Sequence, residues 1–339
     1  MNSKKRVTSY DVAKAAGVSQ SAVSRVYIDG RSVSKKTKSK VLATANELGY
    51  KPNAIARMLI TKRSGMVAVI LSSRVNLIYP EVLSLLNKRL SEKNERVLLF
   101  NLDDAAGLDD ILEHIWTFQV DGVIAIAAHF DNQSINKFKQ HQIPVVLYNR
   151  RVSGHSASSV CCNHEQGIYE LVNILHDYEH SKYLVVSGPP ESDVAQERCE
   201  LAIKTLAGKG VIDVPIQYGD FSYDSGRYAF SQWMASNPAP TAVICSNDAM
   251  AIGVIDEART QFGLKVPEDL SVVGFDGVNA VFWHSYQLTT IKQPVEQMTK
   301  AAVDILLEQI ASPENPAQLR VWSGSLIEGN TVGPAKNET

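Results

Sequence analysis

The sequence predicts an all-α helix-turn-helix head (residues 1–49), a linker (50–64), and a two-lobed α/β body with parallel sheets (65–339). Three observations carry that prediction. The first 64 residues hold 14 Lys and Arg against three acids (Asp11, Asp29 and Glu47), while the remaining 275 hold 20 against 33. The formal net charge of −2 conceals this asymmetry, and a compact basic head on an acidic body is the mark of a nucleic-acid partner. From Met66 onward, short apolar runs alternate with helical stretches, the pattern of βαβ units. A body of that length is large for one sheet, so two lobes with a cleft between them are expected.

Composition excludes other classes. With 45% hydrophobic and 21% charged residues, 20 Gly and 13 Pro, the chain is neither disordered, collagen-like nor a disulfide scaffold. Its four cysteines (Cys161, Cys162, Cys199 and Cys245) have no metal-ligand spacing. The adjacent pair would point to opposite faces of a strand, so reduced core thiols are expected and no metal or other cofactor is called for. The start, MNSKKRVTSYDV, is basic but has no apolar stretch typical of a secretion signal. The apolar runs Val67–Leu71 and Val123–Ala128 are too short to cross a membrane, so a cytoplasmic protein without a membrane partner is expected.

In the head, Thr8-Ser9-Tyr10-Asp11 has capping-box spacing, and a helix from Tyr10 to Ala15 stops where Gly17 permits a tight turn. A second helix begins near Ser19. A 100° step per residue gathers Val18, Ala22, Val23 and Val26 on one arc and Gln20, Ser21, Ser24 and Arg25 on the other. The second arc suits a helix lying in the major groove; an ordinary amphipathic surface helix is the competing reading. A third helix, from about Ser34 to Leu48, carries Lys35, Lys36, Lys38 and Lys40, placed to meet phosphates and so to set affinity and its salt dependence.

The run Thr8-Ser9-Tyr10-Asp11-Val12-Ala13, Ala16-Gly17-Val18-Ser19, Val23-Ser24-Arg25-Val26 resembles the lactose-repressor (LacI/GalR) family of bacterial transcription regulators. The match continues through Val33-Ser34, Glu47-Leu48-Gly49-Tyr50, Pro52-Asn53 and Ala56-Arg57-Met58-Leu59. The resemblance implies that Gln20, Ser21 and Arg25 read bases, Arg25 by a bidentate contact to guanine. It adds Tyr10, Ser19, Ser24 and Ser34 to the interface. It further implies that the linker folds on operator DNA, where Asn53 and Ala56 join the contact and Leu59 wedges into the minor groove. An isolated helix as short as this linker is unstable in water, so its order can respond to the body above it. Local packing is the alternative role for Leu59.

The body's candidate strands are Val67–Leu71, Val97–Asn101, Gly122–Ala127, Val145–Tyr148, Tyr183–Ser187, Ala242–Ser246 and Ser271–Phe275, with helices at Tyr79–Lys93, Gln166–Tyr178 and Ala195–Lys209. The resemblance implies a body like the periplasmic sugar-binding proteins. Its lobes are expected at about 65–160 with 290–320, and about 161–289 with 321–333. Ligands of parallel sheets bind beyond the carboxyl ends of strands, where Ser72, Arg74, His129, Asn149, Arg150, Asn247, Asp248 and Asp276 stand. The family match places Asn149, Arg198, Phe221, Asn247 and Asp276 at effector positions. Asp248 is read as a helix cap, and His129 equally well as a solvated loop residue.

Three departures bear on the effector. Asn149 stands where sugar-responsive relatives often have Asp, Asn163-His164 replaces a usual Asp-Asn, and Leu201 replaces a common Gly. Fewer carboxylates beside Arg74 and Arg150 raise the expectation of an anionic effector, a sugar acid or sugar phosphate; the two arginines otherwise face solvent or pair with acids of the body. No Leu heptads follow residue 320, so a homodimer on a pseudo-palindromic operator is expected rather than a tetramer.

The leading function is therefore a dimeric repressor of carbohydrate utilisation that a sugar or sugar derivative releases from double-stranded operator DNA. A corepressor-dependent regulator is the alternative, because both signs need only a difference in affinity between two body states. An enzyme is the less favoured class: the sequence has no P-loop, GxGxxG, HExxH or GxSxG.

Overall fold

The computed structural model describes residues 7–27, 33–51, 63–72, 76–102, 108–126, 132–150 and 157–336. Asn53, Ala56, Leu59, Arg74 and His129 lie outside the described residues. The chain divides into two compact units, residues 1–66 with 116–121, and residues 67–115 with 122–339.

The head has helices α1 (Ser9–Ala16), α2 (Gln20–Val26) and α3 (Lys35–Glu47). Each starts on a side-chain cap. Thr8 and Asp11 form the reciprocal capping box, Ser19 accepts from Ala22 N at 3.2 Å, and Ser34 accepts from Thr37 N at 3.2 Å. Gly17 ends α1 at φ 59°, a left-handed turn that a Cβ would strain. Val12, Ala16, Val23 and Val41 are wholly buried where the three helices meet. The core is small, which suits small side chains on every helix.

In the larger unit, one sheet contains β1 (Met66–Ser72), β2 (Arg96–Leu102), β3 (Gly122–Ala125), β4 (Val145–Tyr148), β5 (Ser158–Asn163) and β11 (Leu319–Ser323), in the order β11-β5-β4-β3-β1-β2. The second contains β6 (Tyr183–Ser187), β7 (Ile216–Tyr218), β8 (Ala242–Cys245), β9 (Ser271–Asp276), β10 (Thr289–Lys292) and β12 (Ser325–Ile327), in the order β12-β10-β9-β8-β6-β7. β1, β3, β4, β5 and β11 run parallel, as do β7, β6, β8, β9 and β10; β12 is antiparallel to β10. Central strands such as β4, β6 and β9 are buried along their whole length, because helices cover both faces of a parallel sheet.

The covering helices are α4 (Tyr79–Glu92), α5 (Leu108–Phe118), α6 (Asn132–Gln140), α7 (His164–Asp177), α8 (Asp193–Gly208), α9 (Tyr223–Met234), α10 (Asp248–Thr260) and α11 (Val295–Ala311). α11 packs on β3, β4 and β5, whereas α10 packs on β8 and β9.

The chain passes between the sheets three times: from β5 into α7, from β10 into α11, and from β11 into β12. The crossings are neighbours, since Asn163 pairs with Ser323 and Lys292 with Ser325. Gly324 is required at the third, where a Cβ would lie 2.8 Å from Lys292 O. These positions move the expected lobe edges. Residues 161–163 and 321–323 belong to the first sheet, and 290–292 to the second, because each strand runs on to the crossing before the chain changes lobe.

Candidate functional site

The head and the space between the two sheets each gather residues singled out by sequence. In the head, Tyr10, Ser21 and Arg25 are exposed. Gln20 is half-buried, its amide 3.3 Å from Ser9 Oγ and 3.2 Å from Ser24 Oγ, so α2 is locked to α1 through the residue that begins it. Ser19 and Ser34 serve as helix caps. Lys35, Lys36, Lys38 and Lys40 are all exposed on α3.

Between the sheets lies a cavity whose empty space, open mouth included, is about 870 Å³. Ser72, Tyr79, Tyr148, Asn149 and Arg150 line it from the first lobe, and Asp193, Arg198, Phe221 and Asp276 from the second. Gln293 lines it at the second crossing.

Arg198, on α8, is buried. Its Nη1 donates to Ser246 O at 2.6 Å and lies 3.1 Å from Asp276 Oδ1, and the guanidinium sits 3.9 Å from the centre of the Phe275 ring. Nη2 is 3.5 Å from His164 Nε2, whose other ring nitrogen is 2.8 Å from Glu197 Oε2. Asp276 ends β9 at φ 127°, a strained backbone for a residue with a side chain, and accepts from Gln293 Nε2 at 2.6 Å. Burial raises its carboxyl pKa, against the opposing pull of Arg198. Asp248 lies behind it, wholly buried, accepting from Gly277 N at 2.6 Å, Val278 N at 2.9 Å and Thr290 Oγ1 at 2.5 Å. Burial first, and the Asp276 carboxyl second, push Asp248 up to about 7.

Phe221 presents its ring to the cavity from a left-handed backbone, φ 72°. Gly188 makes room for it: a Cβ there would stand 2.4 Å from the ring. Asn247 fixes the same loop by donating from Nδ2 to Phe221 O at 2.9 Å, while its Oδ1 caps α10 on Met250 N at 3.0 Å.

Residues 8–53 match the family described as "Bacterial regulatory proteins, lacI family", and residues 172–332 match the "Periplasmic binding protein-like domain". Catabolite control protein A of Priestia megaterium is 33% identical over 304 residues, covering 88% of this chain and 91% of that one. The chain belongs to the lacI family of bacterial regulatory proteins. The HTH-type transcriptional repressor PurR of Vibrio campbellii is 30% identical over 326 residues, 95% of this chain and 97% of the relative. Among solved structures, the lac repressor dimer bound to operator and the anti-inducer ONPF superposes with a TM-score of 0.85 at 28% identity, covering 97% of this chain and 100% of the other. The protein is thus a ligand-responsive DNA-binding repressor and not an enzyme.

One sequence-based assignment in this lacI-family body changes, the cap of α10, and Asn247 stands apart from the other effector candidates. Asn247 does not line the cavity, and both ends of its amide are used inside the protein, on Phe221 and Met250. The cap of α10 is Asn247 rather than Asp248, whose carboxylate instead gathers the loop after β9. Arg150 does reach the cavity, but its Nη2 is ion-paired with Asp193 Oδ2, so its charge is matched there. Tyr148 and Gln293 were missed. Tyr148 is the last residue of β4, next to the strand-end positions inspected; Gln293 follows β10, a strand whose Thr-Thr-Ile-Lys sequence gives little periodic signal. Among the described residues, no helix is long and apolar enough to cross a membrane.

Proposed function

We propose that the cleft of this repressor takes a neutral monosaccharide or a close polyol, and that binding there releases the protein from its operator. One observation carries the ligand class. Arg198 Nε, Gln293 Oε1 and Tyr148 Oη are buried polar atoms with no hydrogen-bond partner among the described residues, and all three residues line the cavity. The first only donates, the second only accepts, and the third does both. Ring hydroxyls both donate and accept, so a sugar satisfies all three.

Charge supports the same reading. The described cationic groups of the lining, Arg150 and Arg198, are paired with Asp193 and Asp276, and Glu191 adds a further carboxylate. The anionic effector suggested by sequence therefore gains no support from Arg150. Phe221 offers a flat apolar face to the ring of a sugar.

On the DNA side, Ser21 and Arg25 are assigned to base edges, with Gln20 and Ser24 beside them. Tyr10, Ser19 and Ser34 are assigned to the backbone, and the lysines of α3 to phosphates. Asn53, Ala56 and Leu59 are assigned to the minor groove on the sequence resemblance alone. The protein works in the cytoplasm as a homodimer. Tyr223 and Trp283 are exposed on the second lobe and adjoin through Tyr286, which lies 6.3 Å from Trp283 ring to ring and shares Asp256 Oδ2 with Tyr223. Such an aromatic patch fits a self-complementary contact.

The test is a melting series with neutral sugars, sugar acids and sugar phosphates. A sugar at about 100 times its dissociation constant adds roughly 2.7 kcal/mol to stability. Stabilisation by a neutral sugar, absent in Arg198→Ala, is expected; stabilisation by anionic members alone would overturn the ligand class.

A further inference from the structure

We propose that Asp121 is a positioning residue for DNA binding: its carboxylate fixes the foot of the linker, and that fixation sets how tightly the protein holds DNA. Asp121 immediately precedes β3, and its side chain is only 7% exposed. Its Oδ1 accepts from Ser64 N at 2.9 Å and Ser64 Oγ at 3.1 Å. Its Oδ2 accepts from Gly65 N at 2.9 Å and Arg63 Nε at 3.4 Å. The backbone completes the arrangement, with Asp121 N donating to Met66 O at 2.8 Å, and Ser64 Oγ accepting from Met66 N at 3.1 Å.

A carboxylate has about four acceptor sites, and these four donors occupy them. Asp121 is therefore saturated by residues 63–65, the segment that leads from the linker into β1. Gly65 at φ 68° supplies the left-handed turn in that segment. Bonds to an ionised acceptor are roughly twice as strong as neutral ones, so a single side chain holds three consecutive residues. Asparagine cannot replace it, because an amide nitrogen in place of either oxygen would meet donors with a donor.

The consequence for function is entropic. Chain left loose at this point must be ordered when the head and linker engage DNA, and that ordering opposes binding. A fixed foot removes the cost beforehand.

The experiment uses the full chain and a duplex that the wild-type protein selects from a random-sequence library. The inference rests on the DNA-binding reading, which that selection tests by itself before any variant is made. Asp121→Asn is expected to weaken affinity about tenfold, and Asp121→Ala at least as much. The slope of log Kd against log salt should not change, because no phosphate contact is lost. Ser64→Ala should weaken binding in the wild-type background and add less in the Asp121→Asn background. Amide exchange at Ser64 and Gly65 should quicken in Asp121→Asn. If Asp121→Ala fails to fold, Asp121→Asn and Ser64→Ala decide. Wild-type affinity in both of these variants, unaltered exchange, or a reduced salt slope would each overturn the proposal.

Discussion

Arg150 and Asp193 form an ion pair that joins the two lobes across the cavity. Arg150 follows β4 in the first lobe, and Asp193 is the first residue of α8 in the second. The Arg150 side chain is 9% exposed and the Asp193 side chain 57%, so solvent weakens the pair from one side.

Its expected effect is correspondingly modest, about 0–1 kcal/mol. Asp193→Asn should lower affinity for the stabilising sugar by no more than about fivefold, since 1.4 kcal/mol is tenfold, and barely move the melting temperature. Exchanging the two charges, Arg150→Asp with Asp193→Arg, should recover affinity. Calorimetric titration checks this, and a reversed pair no better than the single variants would show that the lobes are not held by this contact.

Tyr148 gives a sharper test of the cleft. Its buried hydroxyl has no partner among the described residues, and burial with the Glu81 charge nearby raises its pKa. Tyr148→Phe should therefore leave the ligand-free protein as stable as before or more so, because an unsatisfied group is removed. The same change should weaken sugar binding by about 0.5–1.5 kcal/mol, the worth of a neutral hydrogen bond. Urea unfolding and titration measure the two effects separately. Lost stability with unchanged affinity would mean that the hydroxyl serves the fold.

The buried Asp248 makes stability depend on pH in a definite direction. Its pKa is about 7 in the folded protein, against about 3.9 in an unfolded chain. The folded state holds the proton more tightly. The contribution is therefore full below the unfolded value and is lost as pH rises through about 7. The stability difference between wild type and Asp248→Asn should move against the wild type across that window, as read from urea midpoints at several pH values. A constant difference would show that Asp248 is ionised throughout.

In the head, Arg25→Ala should lose discrimination at one base pair in each half-site, at a cost of about 1–3 kcal/mol against the preferred base. Binding to duplexes substituted position by position measures this. Equal weakening on every duplex would assign Arg25 to phosphate instead.

The sequence made the fold class legible where one physical pattern dominated. Val67–Leu71 and Tyr183–Ser187 are strands because helices bury both faces, and they read as unbroken apolar runs. The capping box at Thr8 and the turn at Gly17 are local chemistry, readable without tertiary context. Ile216–Tyr218, Leu319–Ser323 and Ser325–Ile327 were not identified as strands. They are short edge strands whose partners lie far along the chain or across a crossing, so pairing rather than composition defines them.

The cleft was legible in part for the same reason. Arg198, Phe221, Asn149 and Asp276, the positions that the family resemblance singled out, line the cavity. That Asn247 rather than Asp248 caps α10 was not legible, since two adjacent residues at a helix start both qualify as caps. The deciding fact is that Asp248 faces Gly277, Val278 and Thr290, groups brought in by β9 and β10. The matching of Arg150 by Asp193 likewise depends on two lobes meeting, which no local pattern records.

Coupling between the cleft and the DNA is measured most directly with both ligands present. Fluorescence anisotropy would follow a labelled duplex, selected by the wild-type protein, while the sugar that stabilises the body is titrated in. The sugar is expected to weaken DNA binding of the wild type by at least about fivefold, within the usual range of allosteric coupling, and to leave Arg198→Ala unchanged. DNA affinity that stays constant while the sugar demonstrably fills the cleft would contradict this coupling.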